Sequence, residues 1–167
     1  SEALAQVDRE ITVIDIDDQH AGLGEIPSLG KLEYESFLLS GDKDFEWVRP
    51  KDEWQAISLS YTSGTTGNPK GVVYHHRGSY LMSMGSVSAW NMPNRLTYLY
   101  TVPMFHCNGW GYPWTLAMLH ARVVFVRNII VKDIFDLIDK YEVTHFGGAP
   151  IVLNIIANAP PEDQKLL

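Results

Sequence analysis

The sequence lacks most of what would tie a chain to a membrane, to nucleic acid or to an oxidising compartment. There is one cysteine, Cys107, so no internal disulfide can form. Ser1 to Glu10 lacks the basic-then-apolar layout of a secretory leader. A reducing, cytoplasmic setting is the expectation. No apolar run approaches the roughly 18 residues that a membrane span needs, and no repeat or low-complexity tract points to a collagenous or disordered chain. Basic residues are outnumbered, 13 Lys and Arg against 20 Asp and Glu, giving a net charge of −7. That is the reverse of a nucleic-acid-binding footprint. What is present, 46% hydrophobic and 20% charged residues over 167 positions, is an ordinary globular composition. At roughly 150 residues per domain it fits one domain with a real core.

The charge is unevenly spread. Residues 1–60 hold 14 of the 20 acids and 5 of the 13 bases, so residues 61–167 hold 6 and 8. Between Glu53 and Asp133 there is no carboxylate, while Lys70, Arg77, Arg95, Arg122, Arg127, Lys132 and four histidines fall in that stretch. A region without negative charge suits an anionic ligand. Buried sheet and helix, where carboxylates are rare, would account for it as well.

Residues 1–55 read as an acidic segment with one strand, Ile11 to Ile16 (ITVIDI), a loop over Asp17 to Gly30 and a short helix at Tyr34 to Leu39. From Ala56 onward β-rich runs alternate with stretches of helical period. Strands are expected at Ala56–Tyr61, Leu96–Val102, Arg122–Arg127 and Val143–Phe146. Helices are expected at Tyr80–Trp90, with Leu81, Met84, Val87 and Trp90 on one side, at Trp114–His120, at Lys132–Tyr141, with Ile134, Leu137, Ile138 and Tyr141 inward, and at Ile151–Asn158. This predicts an α/β fold with a mostly parallel sheet covered by alternating helices. Ligands of such sheets bind beyond the carboxyl ends of the strands, so the loops Thr62–Gly71, Pro103–Gly111 and Gly147–Pro150 are expected on one rim.

The strongest local signal is Tyr61-Thr62-Ser63-Gly64-Thr65-Thr66-Gly67-Asn68-Pro69-Lys70-Gly71. Glycines allow positive φ and close approach of a ligand, hydroxyls supply short donors, and consecutive N–H groups can form an anion-binding nest. The loop is not a Walker A motif, because Lys70 is preceded by Pro69 and followed by Gly71 rather than Ser or Thr. His75 and His76 do not make a zinc site, since adjacent helical residues point apart and no Cys or acidic partner lies at ligand spacing. His106 beside Cys107 suggests a nucleophilic pair only superficially.

Tyr61 to Val72 (YTSGTTGNPKGV) resembles the signature loop of the adenylate-forming, AMP-binding superfamily. Pro103 to Trp110 (PMFHCNGW) resembles the second core motif of its acyl-CoA synthetase branch, and Tyr74–Gly78 and Thr144–Pro150 extend the likeness. The FHCNGW form is similar to ligases for short- and medium-chain fatty or fatty-like acids, sulfur-containing propionates included. The resemblance runs from about Asp52 to the C-terminus and implies part of the large N-terminal domain of such an enzyme. It implies ATP, Mg²⁺ and coenzyme A as reactants alongside a small carboxylic acid, with no nucleic-acid partner and no membrane span.

By that resemblance, Thr62, Ser63, Gly64, Thr65, Thr66 and Gly67 would hold the β- and γ-phosphates, and Lys70 would add charge at the loop's end or hold its shape. His106 would sit beside the carboxylate and α-phosphate as the catalytic residue. Trp110, with Tyr112 and Trp114 behind it, would line an acyl tunnel, or else be plain core. Gly148, Ala149 and Pro150 would let substrate pass close to the backbone. No side chain is assigned as a direct metal ligand. The family's later Tyr-Gly-x-Thr-Glu-type motif, ribose-binding aspartate, hinge and small C-terminal domain are not among these residues, so the chain is expected to be a fragment that completes neither half-reaction and self-associates through uncovered apolar faces. Two other readings stay open: an adenylation module or fatty acyl-AMP ligase that loads a carrier protein, and a non-catalytic phosphate-binding piece.

Overall fold

The computed structural model describes residues 2–164 apart from 19, 23, 25, 26 and 64–66. Its contacts divide the chain into two units, Ser1–Arg49 and Pro50–Leu167. The break falls ahead of the boundary expected after residue 55, because residues 52–55 are bonded to the start of a later helix. The Arg77 N–H donates to the Glu53 carbonyl at 2.8 Å, the His76 N–H to that of Gln55 at 3.3 Å, and the Arg77 guanidinium pairs with the Glu53 carboxylate at 2.6 Å.

The first unit holds α1 (Glu2–Ala5), β1 (Ile14–Asp15), β2 (Leu32–Glu33) and α2 (Tyr34–Leu39), with β1 and β2 paired in parallel. The strand expected over Ile11–Ile16 shrinks to β1. Asp15 turns its carboxylate to the returning loop, accepting from Ser28 Oγ at 2.5 Å and from the Gly30 N–H at 2.7 Å. Ile16 is 72% exposed, so the alternation has no sheet face to cover. The helix α2 lies where its sequence placed it, capped by Glu33, whose carboxylate accepts the N–H groups of Glu35 and Ser36 at 3.0 Å each. Those bonds favour the charged form and hold Glu33 below its ordinary value of 4.5.

The second unit begins with a hairpin of β3 (Ala56–Thr62) and β4 (Lys70–His75), antiparallel, with Thr62 opposite Lys70. The glycine-rich loop therefore joins a hairpin and does not follow a strand of the parallel sheet, which corrects the single rim expected for all three loops. The physical reason is length: a parallel return needs a crossover of a dozen or more residues, and the short link between Thr62 and Lys70 permits only an antiparallel one. The helix α3 (His76–Ala89) follows directly. It buries Ser83, with Gly78, Ser79, Ser86 and Val87 half-buried, while Leu81, Met84 and Trp90 of the face expected inward are exposed. It packs against α5 (Tyr112–Met118), with Val87 on the same core as Leu116 of that helix.

From β5 (Thr97–Tyr100) onward the expected alternation holds. Strand β5 is central, flanked in parallel by β6 (Arg122–Phe125) and β7 (His145–Gly147). Its alternate side chains feed both faces. Leu99, 0% exposed, meets Val124 and Ile134 beneath α6 (Val131–Tyr141), with Leu137, Ile138 and Tyr141 packed around them as the helical period predicted. Tyr98 and Tyr100 point the other way, into a core with Met92, Leu96, Leu116 and Leu119. The helix α6 has Asp133 in its first turn, Lys140 in its last and a Lys132–Asp136 ion pair of 2.6 Å along its surface. Two further elements, the short turn α4 (Cys107–Trp110) and α7 (Pro150–Ala157), leave the carboxyl ends of β5 and β7.

Ile134 is fully buried at the junction of β5, β6 and α6. Ile134→Ala should lower the stability of the second unit by about 2–5 kcal/mol, read as a shift of the urea midpoint at unchanged m-value.

Candidate active site

Because β5 and β7 are parallel, the segments after them emerge at one edge of the sheet. The Thr101 hydroxyl, at the end of β5, donates to the Gly147 carbonyl at the end of β7 and ties the two exits together. Gly148 packs tightly there, since a Cβ on it would lie 3.3 Å from Val152 and 3.4 Å from Thr101 Oγ1. Ala149 is the N-cap of α7, its carbonyl accepting the Val152 and Leu153 N–H groups at 2.8 and 3.2 Å, and Pro150 is the first helical residue.

His106 lies in the turn between β5 and α4, exposed. Its N–H donates to the Pro103 carbonyl at 3.0 Å, and its own carbonyl accepts the Gly109 N–H at 2.9 Å. The residues that follow have unusual backbone conformations, with φ of 47° at Cys107, 62° at Gly109, 57° at Trp110 and 71° at Gly111. For Cys107 and Trp110 that conformation costs of order 1–3 kcal/mol each, so it persists only where surroundings enforce it. Tyr100 is one such neighbour, donating from its buried hydroxyl to the Gly109 carbonyl at 2.8 Å. A Cβ on Gly109 would fall 2.1 Å from that hydroxyl oxygen, and one on Gly111 would fall 1.7 Å from Met82 Cε.

Beside this turn is a cavity of about 350 Å³. Trp110, Gly111, Cys107 and Trp114 form one wall, and β4 and α3 supply the other, with Val73 and Met82 among its apolar side chains. Trp110 and Trp114 thus line this cavity. Tyr112 does not. Its ring packs on Tyr98 at 5.0 Å, and Tyr98 in turn meets Tyr100 edge-on at 5.9 Å.

Thr62, Ser63, Gly67 and Lys70 are exposed at the turn end of the hairpin, Gly67 with φ 142°. Gly64, Thr65 and Thr66 lie outside the described residues. The hairpin and the cavity are linked through β4, which starts at Lys70 and brings Val73, Tyr74 and His75 to the cavity wall. His75 acts as a cap, its Nδ1 accepting the Gly78 N–H at 3.1 Å while its ring lies 4.8 Å from that of Trp54. Among the described residues no group of three or more His, Cys, Asp or Glu is placed to hold a metal ion. Hydroxyl and main-chain donors of the kind found at the hairpin suit phosphate oxygens.

The structure adds residues to which the sequence assigned no role of their own. Met82 and Tyr74 line the cavity, and Tyr100 and Thr101 hold its neighbouring turns. The expected strand Leu96–Val102 contains Tyr100 but gives no sign of the carbonyl its hydroxyl meets. Burial, with Tyr112 nearby, pushes the Tyr100 hydroxyl up to about 12 and raises Tyr98 still further.

Fold and site together define an adenylate-forming type of domain, and the chain belongs to the AMP-binding enzyme family, whose model matches residues 2–167. Its relatives include the peroxisomal acetate/butyrate–CoA ligase AAE7 of Arabidopsis thaliana, 53% identical over 139 residues, which are 83% of this chain and 24% of that protein. The 2-methylpropanoate–CoA ligase CCL4 of Humulus lupulus is 46% identical over 140 residues, 82% of this chain and 25% of that one. The chain thus spans about a quarter of the length of these relatives. Among solved structures, the N-terminal domain of FACL13 from Mycobacterium tuberculosis superimposes with a TM-score of 0.69 at 26% identity, over 77% of this chain and 33% of that one. The o-succinylbenzoate CoA synthetase of Bacillus subtilis, solved with ATP and magnesium, shares the fold with a TM-score of 0.67 at 23% identity, over 80% and 29% of the two chains. No helix among the described residues is long and apolar enough to cross a membrane.

A raised tyrosine has a signed consequence for stability. Between its ordinary value of 10.0 and about 12, folded Tyr100 keeps a proton that the unfolded chain has lost, so stability is complete below pH 10 and falls as pH rises through that window. Urea midpoints followed from neutral pH to about pH 11.5 should decline above pH 10, and Tyr100→Phe should make the decline shallower.

Proposed function

We propose that this chain is the phosphate-gripping and acyl-lining part of an ATP-dependent acid:CoA ligase. The observation that carries this reading is the continuity of β4. One end of the strand is the glycine- and hydroxyl-rich hairpin, and its other end walls an apolar cavity shared with the turn that follows His106. A triphosphate at the first and a small acyl group at the second would bring an α-phosphate and a carboxylate towards each other. In the reaction proposed, a carboxylate oxygen attacks the α-phosphorus and pyrophosphate leaves. The thiol of coenzyme A then displaces AMP from the acyl adenylate.

Like charges oppose the first step, so the residues' work is to neutralise and to orient. Thr62, Ser63 and Gly67, together with Gly64, Thr65 and Thr66, offer hydroxyl and N–H donors to the β- and γ-phosphates, and Lys70 adds a positive charge. Mg²⁺ bound to ATP would neutralise those same oxygens. His106 donates to the charge that develops at the α-phosphate. Trp110 lines the acyl side, and Gly148, Ala149 and Pro150 bring main chain close to the substrate. The names of the relatives support a short acid, acetate, butyrate or 2-methylpropanoate. The exposed free thiol of Cys107 suits a reducing intracellular compartment. Self-association of this chain through exposed apolar residues such as Leu59, Tyr61 and Val73 is part of the same proposal, and light scattering over a dilution series reads it.

ATP–pyrophosphate exchange tests the assignment. A complete polypeptide carrying these residues should exchange in the presence of butyrate, and His106→Ala should lower the rate on the order of 10²-fold. The 167-residue chain alone should show no acid-dependent exchange. Acyl-CoA rather than an acylated carrier protein should form when both acceptors are offered. Exchange that ignores the acid, or that is untouched in His106→Ala, would remove the basis of the reading.

A further inference from the structure

Resting on the reading above, we infer that Tyr100 is a positioning residue: its hydroxyl fixes the turn between His106 and Gly111, and with it the wall of the acyl cavity. The argument starts from the backbone. Cys107 and Trp110 are non-glycine residues at φ 47° and 57°, a conformation that side chains rarely adopt unaided. Both also line the cavity, so any relaxation of the turn changes the cavity's shape. The turn is joined to the sheet by the Tyr100 hydroxyl, which donates to the Gly109 carbonyl at 2.8 Å.

Tyr100 itself has little freedom. It is 4% exposed, its neighbour Leu99 is locked in the opposite core, and its ring lies between those of Tyr98 at 5.9 Å and Phe125 at 5.5 Å. A fixed ring of fixed length therefore sets where Gly109 can be. Gly109 matches this from its side: it has φ 62°, and a Cβ would fall 2.1 Å from the tyrosine oxygen. Hydroxyl and glycine fit as a pair. The hydroxyl and ring contacts of Tyr100 go to Gly109, Tyr98 and Phe125, on the side of the turn and the cavity, so its influence should fall on the acid and not on the nucleotide.

The test uses the complete polypeptide that carries this chain, in wild-type, Tyr100→Phe, Gly109→Ala and doubly substituted forms. Tyr100→Phe keeps the ring and removes only the donor. Its KM for butyrate should rise about fivefold or more and its kcat should fall, while KM for ATP stays within twofold. A loss of folded protein would lower kcat without moving the butyrate KM. Hydrogen exchange followed by mass spectrometry provides a readout independent of activity, and amides within residues 103–112 should exchange about tenfold faster in Tyr100→Phe. The two substitutions should be non-additive, because removing the hydroxyl relieves the closest clash, at 2.1 Å, that an alanine methyl at position 109 would meet. Unchanged exchange in 103–112, or additive effects with an unmoved butyrate KM, would overturn the inference. If the wild-type protein shows no acid-dependent activity but the exchange difference is present, the ligase reading fails and the Tyr100–Gly109 tie stands.

Discussion

Strand β5 is buried on both faces, and most of the second unit follows from that constraint. A pleated strand sends neighbouring side chains to opposite sides. Leu99 therefore requires a lid of α6 on one face, and Tyr98 and Tyr100 require the α5 side on the other. Hydrogen bonding along both edges requires β6 and β7. A central strand so enclosed has one free direction, its carboxyl end, and there Thr101 binds the Gly147 carbonyl and the chain turns towards His106. The core and the candidate site are consequently not separate modules. Tyr100 belongs to both, with its ring in the core and its hydroxyl on the turn.

The two halves of the proposed site are built on different physical terms. The cavity side is preformed. Cys107 and Trp110 are held in strained backbone conformations by packing, and glycines at 109 and 111 admit Tyr100 and Met82 closer than any side chain would allow. The other side is a hairpin end whose described residues, Thr62, Ser63, Gly67 and Lys70, are all exposed. Apolar recognition gains from a fixed shape that water has already left. Anion recognition by backbone N–H and hydroxyl groups gains from a loop able to turn its donors towards the charge.

The same distinction explains what was legible in the sequence. The helix α6 could be read because Ile134, Leu137, Ile138 and Tyr141 repeat at the helical period and all face the core. The inward face of α3 was legible only in part: Val87 packs on the core, but the buried position is Ser83, whose hydroxyl donates to the Ser79 carbonyl at 2.8 Å, and hydrophobic periodicity does not mark a serine. Strand β4 went unread since its residues follow a glycine-rich loop and precede two histidines, and only the antiparallel pairing with β3 makes them extended. The phosphate loop and the His106 turn stood out by residue type. Trp114 and Tyr112, two positions apart, could not be told apart, and the structure sends one to the cavity and the other to the tyrosine cluster. The Tyr100–Gly109 tie depends on a chain reversal that no local pattern encodes.

The carboxylate-free stretch from Glu53 to Asp133 had two explanations in the sequence, burial and an anionic ligand. Burial accounts for β5, where Tyr98, Leu99 and Tyr100 leave no place for a charge. It does not account for the hairpin end or for the turn at His106, which are exposed and could carry Asp or Glu without desolvation. The nearest carboxylate in sequence to the hairpin, Glu53, is paired with Arg77 at 2.6 Å and so offers an approaching anion little repulsion. The positive bias of this region therefore arises less from added cations than from excluded acids. For the two anionic reactants proposed above, that is the cheaper arrangement: a lysine attracts whichever anion arrives first, whereas a surface free of carboxylates repels neither.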